Sequence, residues 1–160
     1  MQAFDASSMI YAWDNYPFEQ FPPLWDWMGN LISQGQIVMS SVAFEEVSHK
    51  TPECCEWLEG MALQRIQVSN EILQEAMRIK GLIGVVDDGY HVDGVDEKDL
   101  LIIATSKLHG FSLVSDEKKQ PNPPTNMSRS KIPLVCSLNT VNVNCLSYLD
   151  FIKASREVFR

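Results

Sequence analysis

The sequence predicts an α/β fold around a central, mostly parallel sheet of about five strands. Short apolar runs alternate with longer stretches of helical periodicity along the whole chain, the pattern of strands joined by crossover helices. At 160 residues and 18.1 kDa the chain is long enough to form one domain, residues 1–160, with a core that needs no disulfide staples. Hydrophobic residues make up 45% and charged residues 21%, an ordinary globular balance.

Ala3 and Phe4 end a first short strand, and Asp5 follows at once. Leu24, Trp27, Met28, Leu31 and Ile32 recur at helical spacing behind Pro22 and Pro23, with Gly35 placed as the stop. Residues 36–40 (QIVMS) read as a buried strand, with Ser40 and Ser41 as candidate caps for the helix carrying VAFEEVSHK. Thr51-Pro52 signals another helix start, with Trp57, Leu58 and Met61 as its apolar stripe. A short strand is expected at 65–69. A helix follows with Ile72, Leu73, Ala76 and Met77 facing inward and Gly81 at its end. Residues 85–95 form a polar loop. The next helix is apolar from Leu100 to Ala104 and stops at Gly110. A strand at 111–115 delivers Asp116, and a mobile Pro- and Asn-rich loop follows. The last strand is expected at 140–145 and the last helix over 146–159.

The four cysteines, Cys54, Cys55, Cys136 and Cys145, form no CxxC pair and read as reduced thiols of a cytoplasmic protein. No apolar run approaches the ~18 residues of a membrane span, and no secretory signal is expected. The net charge of −8 argues against a broad phosphate-binding surface. It is compatible with a cluster of carboxylates that bound cations neutralise.

Such a cluster is what the topology assembles. In parallel sheets the functional crevice lies beyond the carboxyl ends of the strands. Asp5 ends the first strand there. Glu45 and Glu46 lie in the helix after the second strand; adjacent helical residues point about 100° apart, so one of them is solvated. Asp96 and Asp99 open the apolar helix, and Asp116 and Glu117 leave the strand after it. Converged carboxylates repel unless cations occupy the site, and hard oxygen donors suit magnesium or manganese. Each residue also has a local explanation. Asp5 and Asp96 are placed as helix caps, Asp99 suits the helix dipole, and Asp116 and Glu117 suit a turn. Other chemistries lack their motifs: there is no GxxxxGK[ST], GxGxxG or GxSxG. His49, His91 and His109 are not spaced as a metal pair, and His109 reads as a helix C-terminal cap. Trp25 and Trp27 read as core or groove lining.

The residues resemble the PIN domains. AFDASSMI is similar to the first PIN motif, a strand ending in Asp with a hydroxyl residue two positions on. MSSVAFEEV resembles the second, in a register that favours Glu46. DLLIIATSKLHGFSLVSDEK resembles the stretch holding the last two acids. The KIPLVC tail is similar to that of an uncharacterised PIN-like subfamily. The resemblance implies a three-layer α/β/α sandwich and a Mg2+- or Mn2+-dependent ribonuclease, as in the VapC-like toxins of bacterial toxin–antitoxin pairs. By this likeness Asp5, Glu46, Asp99 and Asp116, with Glu117 as the alternative or additional fourth acid, hold one or two ions. A metal-activated water would attack the phosphodiester in line. Ser7, Ser115, Lys118 and Lys119 are candidate substrate contacts, with Arg129 and Lys131 beside them. Single-stranded RNA is the expected substrate, an antitoxin the expected partner and a homodimer the expected assembly. The serine of LVSDE stands where threonine is more usual. The stretches 12–26 and 51–95 are long for a minimal toxin. An RNase H-like nuclease ranks lower, because a helix rather than an antiparallel meander follows the first strand. A catalytically silent PIN-like module that binds RNA or protein is the other reading.

Overall fold

The computed structural model describes residues 1–160. Its centre is a five-stranded sheet, every strand parallel, in the order β3-β2-β1-β4-β5. β1 (Gln2–Phe4) leads into α1 (Ala6–Asn15) and α2 (Pro22–Ser33). β2 (Ile37–Ser40) passes directly into α3 (Ser41–Lys50), followed by α4 (Pro52–Gly60) and β3 (Gln64–Ile66). α5 (Asn70–Leu82) and α6 (Glu97–His109) form the crossover to β4 (Ser112–Val114). A 3-10 turn at Met127–Arg129 and α7 (Ile132–Ser137) precede β5 (Cys145–Leu146) and α8 (Tyr148–Ser155). The chain moves outward from β1 through β2 to β3, then returns to lay β4 on the other side of β1. Strand order therefore reverses between β1 and β4, and the carboxyl ends there define the crevice.

The strands are short and almost entirely buried in the middle of the sheet: β2 reads IVMS with all four residues inside. This is what a parallel strand covered on both faces requires. The surrounding helices bury Met9, Trp25, Met28, Ile32, Val47, Leu58, Ile79 and Ile103 in one continuous core. Trp13, Trp25 and Trp57 pack edge to face or tilted around α1, α2 and α4, and the buried Trp25 Nε1–H donates to the Tyr16 carbonyl at 2.8 Å. Trp27 lies partly buried against Phe151 and Phe159.

Three local expectations are corrected. Leu73 and Met77 of α5 are 41% and 63% exposed, and the buried stripe is Ile72, Ala76, Ile79 and Ile83 instead. Both sets have helical spacing, and tertiary packing chooses between them. α5 also continues through Gly81, and Gly84 carries the left-handed backbone (φ +73°) just beyond its end. Residues 140–144 are not strand: Val141 and Val143 are buried from an irregular segment, and β5 is only Cys145–Leu146. The two ends of the Pro- and Asn-rich loop are bonded to each other. Gln120 Nε2 donates to the Arg129 carbonyl at 3.1 Å, and the Lys131 N–H donates to Gln120 Oε1 at 2.7 Å.

Gly94 fixes how the 85–95 loop meets this later segment. A Cβ there would lie 1.9 Å from the Ser128 carbonyl oxygen, so only glycine admits the contact. The next residue, Val95, donates its N–H to the Ser130 carbonyl at 2.8 Å. Together they anchor the start of α6, and with it Asp96 and Asp99, against the rest of the fold.

Candidate active site

Asp5 lies at the point where strand order reverses. Its backbone N–H donates to the Val114 carbonyl at 2.9 Å, which sets it beside the exit of β4. Asp5 occupies the N-cap position of α1, yet its side chain makes no cap hydrogen bond. The carboxylate instead accepts Ser7 Oγ–H at 2.6 Å and Ser115 Oγ–H at 3.1 Å, both on Oδ2. The side chain is almost fully enclosed, with 2% of the residue exposed. Burial pushes its pKa up to about 6; the two serine hydroxyls oppose the rise, and the negative charges of Glu46 and Glu117 add to it.

Ser7 and Ser115 are committed to this arrangement. Ser7 Oγ also accepts the Asp116 N–H at 3.0 Å, and Ser115 Oγ accepts the Glu117 N–H at 3.3 Å. These hydroxyls, expected to touch substrate, hold Asp5 and shape the β4 exit.

Asp99 enters from the first turn of α6. Asp96 Oδ1 accepts the Asp99 N–H at 2.9 Å, and Asp99 Oδ2 accepts the Asp96 N–H at 3.0 Å, a reciprocal capping box. The bond leaves lone pairs of the Asp99 carboxylate uncommitted. Burial raises its pKa to about 8; repulsion from Asp96, Asp5 and Glu117 adds to the rise, and the Asp96 N–H opposes it.

The two acids after β4 part company. Asp116 turns toward α1 and α8: Ser8 Oγ–H donates to its Oδ2 at 2.7 Å, and the Tyr148 N–H donates to the same oxygen at 3.2 Å. It caps the start of α8. Glu117 is the acid whose charge acts on Asp5 and on Asp99. The α3 pair also divides. Glu45 is exposed, while Glu46 is half-buried and raises the Asp5 pKa. Glu46 Oε1 is held by Lys50 Nζ at 2.7 Å. Lys50 went unremarked in the sequence, although its place four residues after Glu46 is the spacing of a helical ion pair. Lys118 is exposed, and Lys119 lies 3.6 Å from Asp150. Arg129 pairs with Asp93 at 3.2 Å. His109 Nδ1 lies 2.9 Å from the Thr105 carbonyl at the end of α6, and its ring stacks on Phe111.

Asp5, Glu46, Asp99 and Glu117 thus share one electrostatic environment at the carboxyl edge of the sheet. Their donors are hard oxygens, and two of the four are held in a state that disfavours ionisation, which suits a divalent cation. No three or more His, Cys, Asp or Glu side chains are closed around one point as a ready ligand set. Lys50 and the capping box hold Glu46 and Asp99 in their present positions.

A family model described as a domain of unknown function, DUF4411, matches residues 3–159. The chain belongs to the DUF4411 family. No curated protein matches it significantly. Among solved structures, this DUF4411 domain is similar to a chain of VapBC2 from Rickettsia felis bound to a DNA fragment from their promoter. The TM-score is 0.54 at 14% identity, over 91% of this chain and 97% of that one. A chain of FitAB bound to an IR36 DNA fragment superposes with TM-score 0.52 at 13% identity, over 92% and 95%. A toxin–antitoxin complex from Klebsiella pneumoniae gives 0.50 at 16%, over 79% and 94%. At these identities the likeness is one of fold: the DUF4411 domain has the PIN-like α/β architecture, a parallel five-stranded sheet flanked by helices. No helix in it is long and apolar enough to cross a membrane.

The division between the paired acids is directly testable. In this DUF4411 domain, Asp116→Asn weakens a carboxylate that accepts from Ser8 and from the start of α8. It should cost about 1–2 kcal/mol of stability, read by urea unfolding. Glu117→Gln should cost less than about 0.5 kcal/mol. In any metal-dependent activity the order should invert, with Glu117→Gln the damaging change.

Proposed function

We propose that the DUF4411 domain is a divalent-metal-dependent endoribonuclease that cleaves single-stranded RNA. The observation that carries this reading is the placing of Asp5, Glu46, Asp99 and Glu117 within one another's electrostatic reach near the strand-order reversal, where burial and mutual repulsion hold the Asp5 and Asp99 carboxyls at about 6 and about 8. A site built to keep carboxylates at such a disadvantage gains most when a cation arrives. These four residues would hold Mg2+ or Mn2+. The bound ion would supply Lewis acidity toward the attacking water and the leaving oxygen. Ser7 and Ser115 hold the Asp5 carboxylate in one orientation, and the Asp96–Asp99 capping box does the same for Asp99. Lys118, exposed four residues beyond the end of β4, would contact RNA phosphates.

The fold likeness to chains of VapBC2, FitAB and a Klebsiella toxin–antitoxin complex supports a place for this domain among VapC-like toxins. On this reading it acts in the cytoplasm as the toxin of a type II pair, is silenced by an antitoxin protein and forms a homodimer. The test is cleavage of end-labelled single-stranded RNA with Mn2+ or Mg2+. We expect cleavage with either ion, none after chelation with EDTA, and recovery when the ion is returned in excess. Cleavage that persists in EDTA overturns the metal-dependent reading.

A catalytically silent RNA-binding module is the second reading. It draws on the capping box and the Glu46–Lys50 pair, which give Asp99 and Glu46 structural partners. It predicts retention of RNA without cleavage under every metal condition.

A further inference from the structure

Glu46 arrives at the carboxylate centre with a cation already attached. Lys50 Nζ lies 2.7 Å from its Oε1, one turn further along α3. The charge of Glu46, and to a lesser degree those of Asp5 and Glu117, favours the protonated Lys50 ammonium. A single chain-borne cation is therefore paired with one of the four acids assigned to the metal and lies in the field of two more. A divalent ion on either oxygen of Glu46 meets the repulsion of the ammonium held at Oε1. The ammonium has somewhere to go: the Lys50 side chain is 63% exposed, and it borders a cavity of about 450 Å³ with Glu46, His49, Tyr90, Asp96 and Lys98 on its walls. An ion pair this exposed is weak, so its loss is cheap and reversible.

We propose that Lys50 is the resident counter-cation of the carboxylate centre and that a divalent ion competes with its ammonium for Glu46. The proposal rests on the metal-dependent reading above. Metal occupancy then reflects a competition inside the chain, and Lys50 acts as a positioning residue that holds Glu46 until metal arrives. The displaced ammonium remains tethered at the cavity mouth.

The test is calorimetric titration of the full chain with Mn2+, free of RNA. Lys50→Gln removes the competitor and should bind Mn2+ about threefold to fivefold tighter than the wild type, the range an exposed ion pair allows. Lys50→Arg keeps a cation on the same turn and should return affinity to the wild-type value. Lys107→Gln makes the same charge change eight residues beyond Asp99 on α6, roughly 12 Å along the helix, and should leave affinity unchanged. Equal or weaker binding by Lys50→Gln overturns the proposal, as does an equal gain in Lys107→Gln. If the wild type binds Mn2+ and Asp99→Asn does not, while Lys50→Gln matches the wild type, the Lys50 proposal fails alone. If no variant and no wild type binds Mn2+, the metal-dependent reading fails and the proposal falls with it.

Discussion

Asp99→Asn should abolish metal-dependent RNA cleavage while making the metal-free protein more stable at alkaline pH. The substitution keeps the shape of the side chain, and the asparagine carbonyl can still accept the Asp96 N–H that closes the capping box at the start of α6. What it removes is a negative charge that burial and the repulsion of Asp96, Asp5 and Glu117 render costly. Above pH 8, where Asp99 ionises, the variant should gain about 1–2 kcal/mol, roughly 2–8 °C in melting temperature for a domain of this size. Cleavage of single-stranded RNA should fall at least about 100-fold, since a residue that acts on the reacting atoms contributes on that scale. The two measurements together separate function from folding. A variant that loses both stability and activity would make Asp99 a structural capping residue. A variant that cleaves at the wild-type rate would place the chemistry elsewhere.

Stability of the metal-free protein should fall as pH rises from 6 to 8.5. Asp5 and Asp99 have folded-state pKa values of about 6 and about 8, both raised from 3.8. The folded chain therefore binds more protons than the unfolded chain across the interval from about pH 4 to about pH 8, and raising pH through it favours unfolding. Over pH 6 to 8 the loss from Asp99 should be about 1–2 kcal/mol after allowance for solvent screening. Thermal melts in EDTA at half-unit pH steps measure it. Asp99→Asn should flatten most of the slope, and Mn2+ at pH 8 should raise the melting temperature more than Mn2+ at pH 6. A melting temperature that does not change between pH 6 and 8.5 in the wild type would mean that the two carboxyls are not held in the environment described above.

Much of this site is legible in the sequence because its parts are local. Asp5 directly follows an apolar strand, Asp96 and Asp99 sit at cap spacing ahead of an apolar helix, and Glu46 lies one turn into a helix that begins at Ser40-Ser41. Each placement follows from strand alternation, helix period and capping chemistry, which act over three or four residues. The PIN-like architecture is legible for the same reason, as the sum of five strand-and-helix alternations. Lys50 is equally local, but an i, i+4 ion pair on an exposed helix face has no mark that sets it apart from solvated charge.

The sequence by itself determined the alternation of strands and helices, the largely parallel sheet and the candidate acids near its carboxyl edge. Tertiary structure decided which acids face one another. Asp116 and Glu117 are adjacent and chemically alike, and Asp116 turns away because Ser8 and the Tyr148 N–H wait on its other side. Ser7 and Ser115 are 108 residues apart in sequence and meet on Asp5 only because β4 pairs with β1. Leu73 and Ile79 fit a helical stripe equally well, and tertiary packing buried only Ile79. Local spacing limits which residues can share a face; which face is covered, and by what, depends on contacts between segments far apart in the chain, and no short window of sequence contains them.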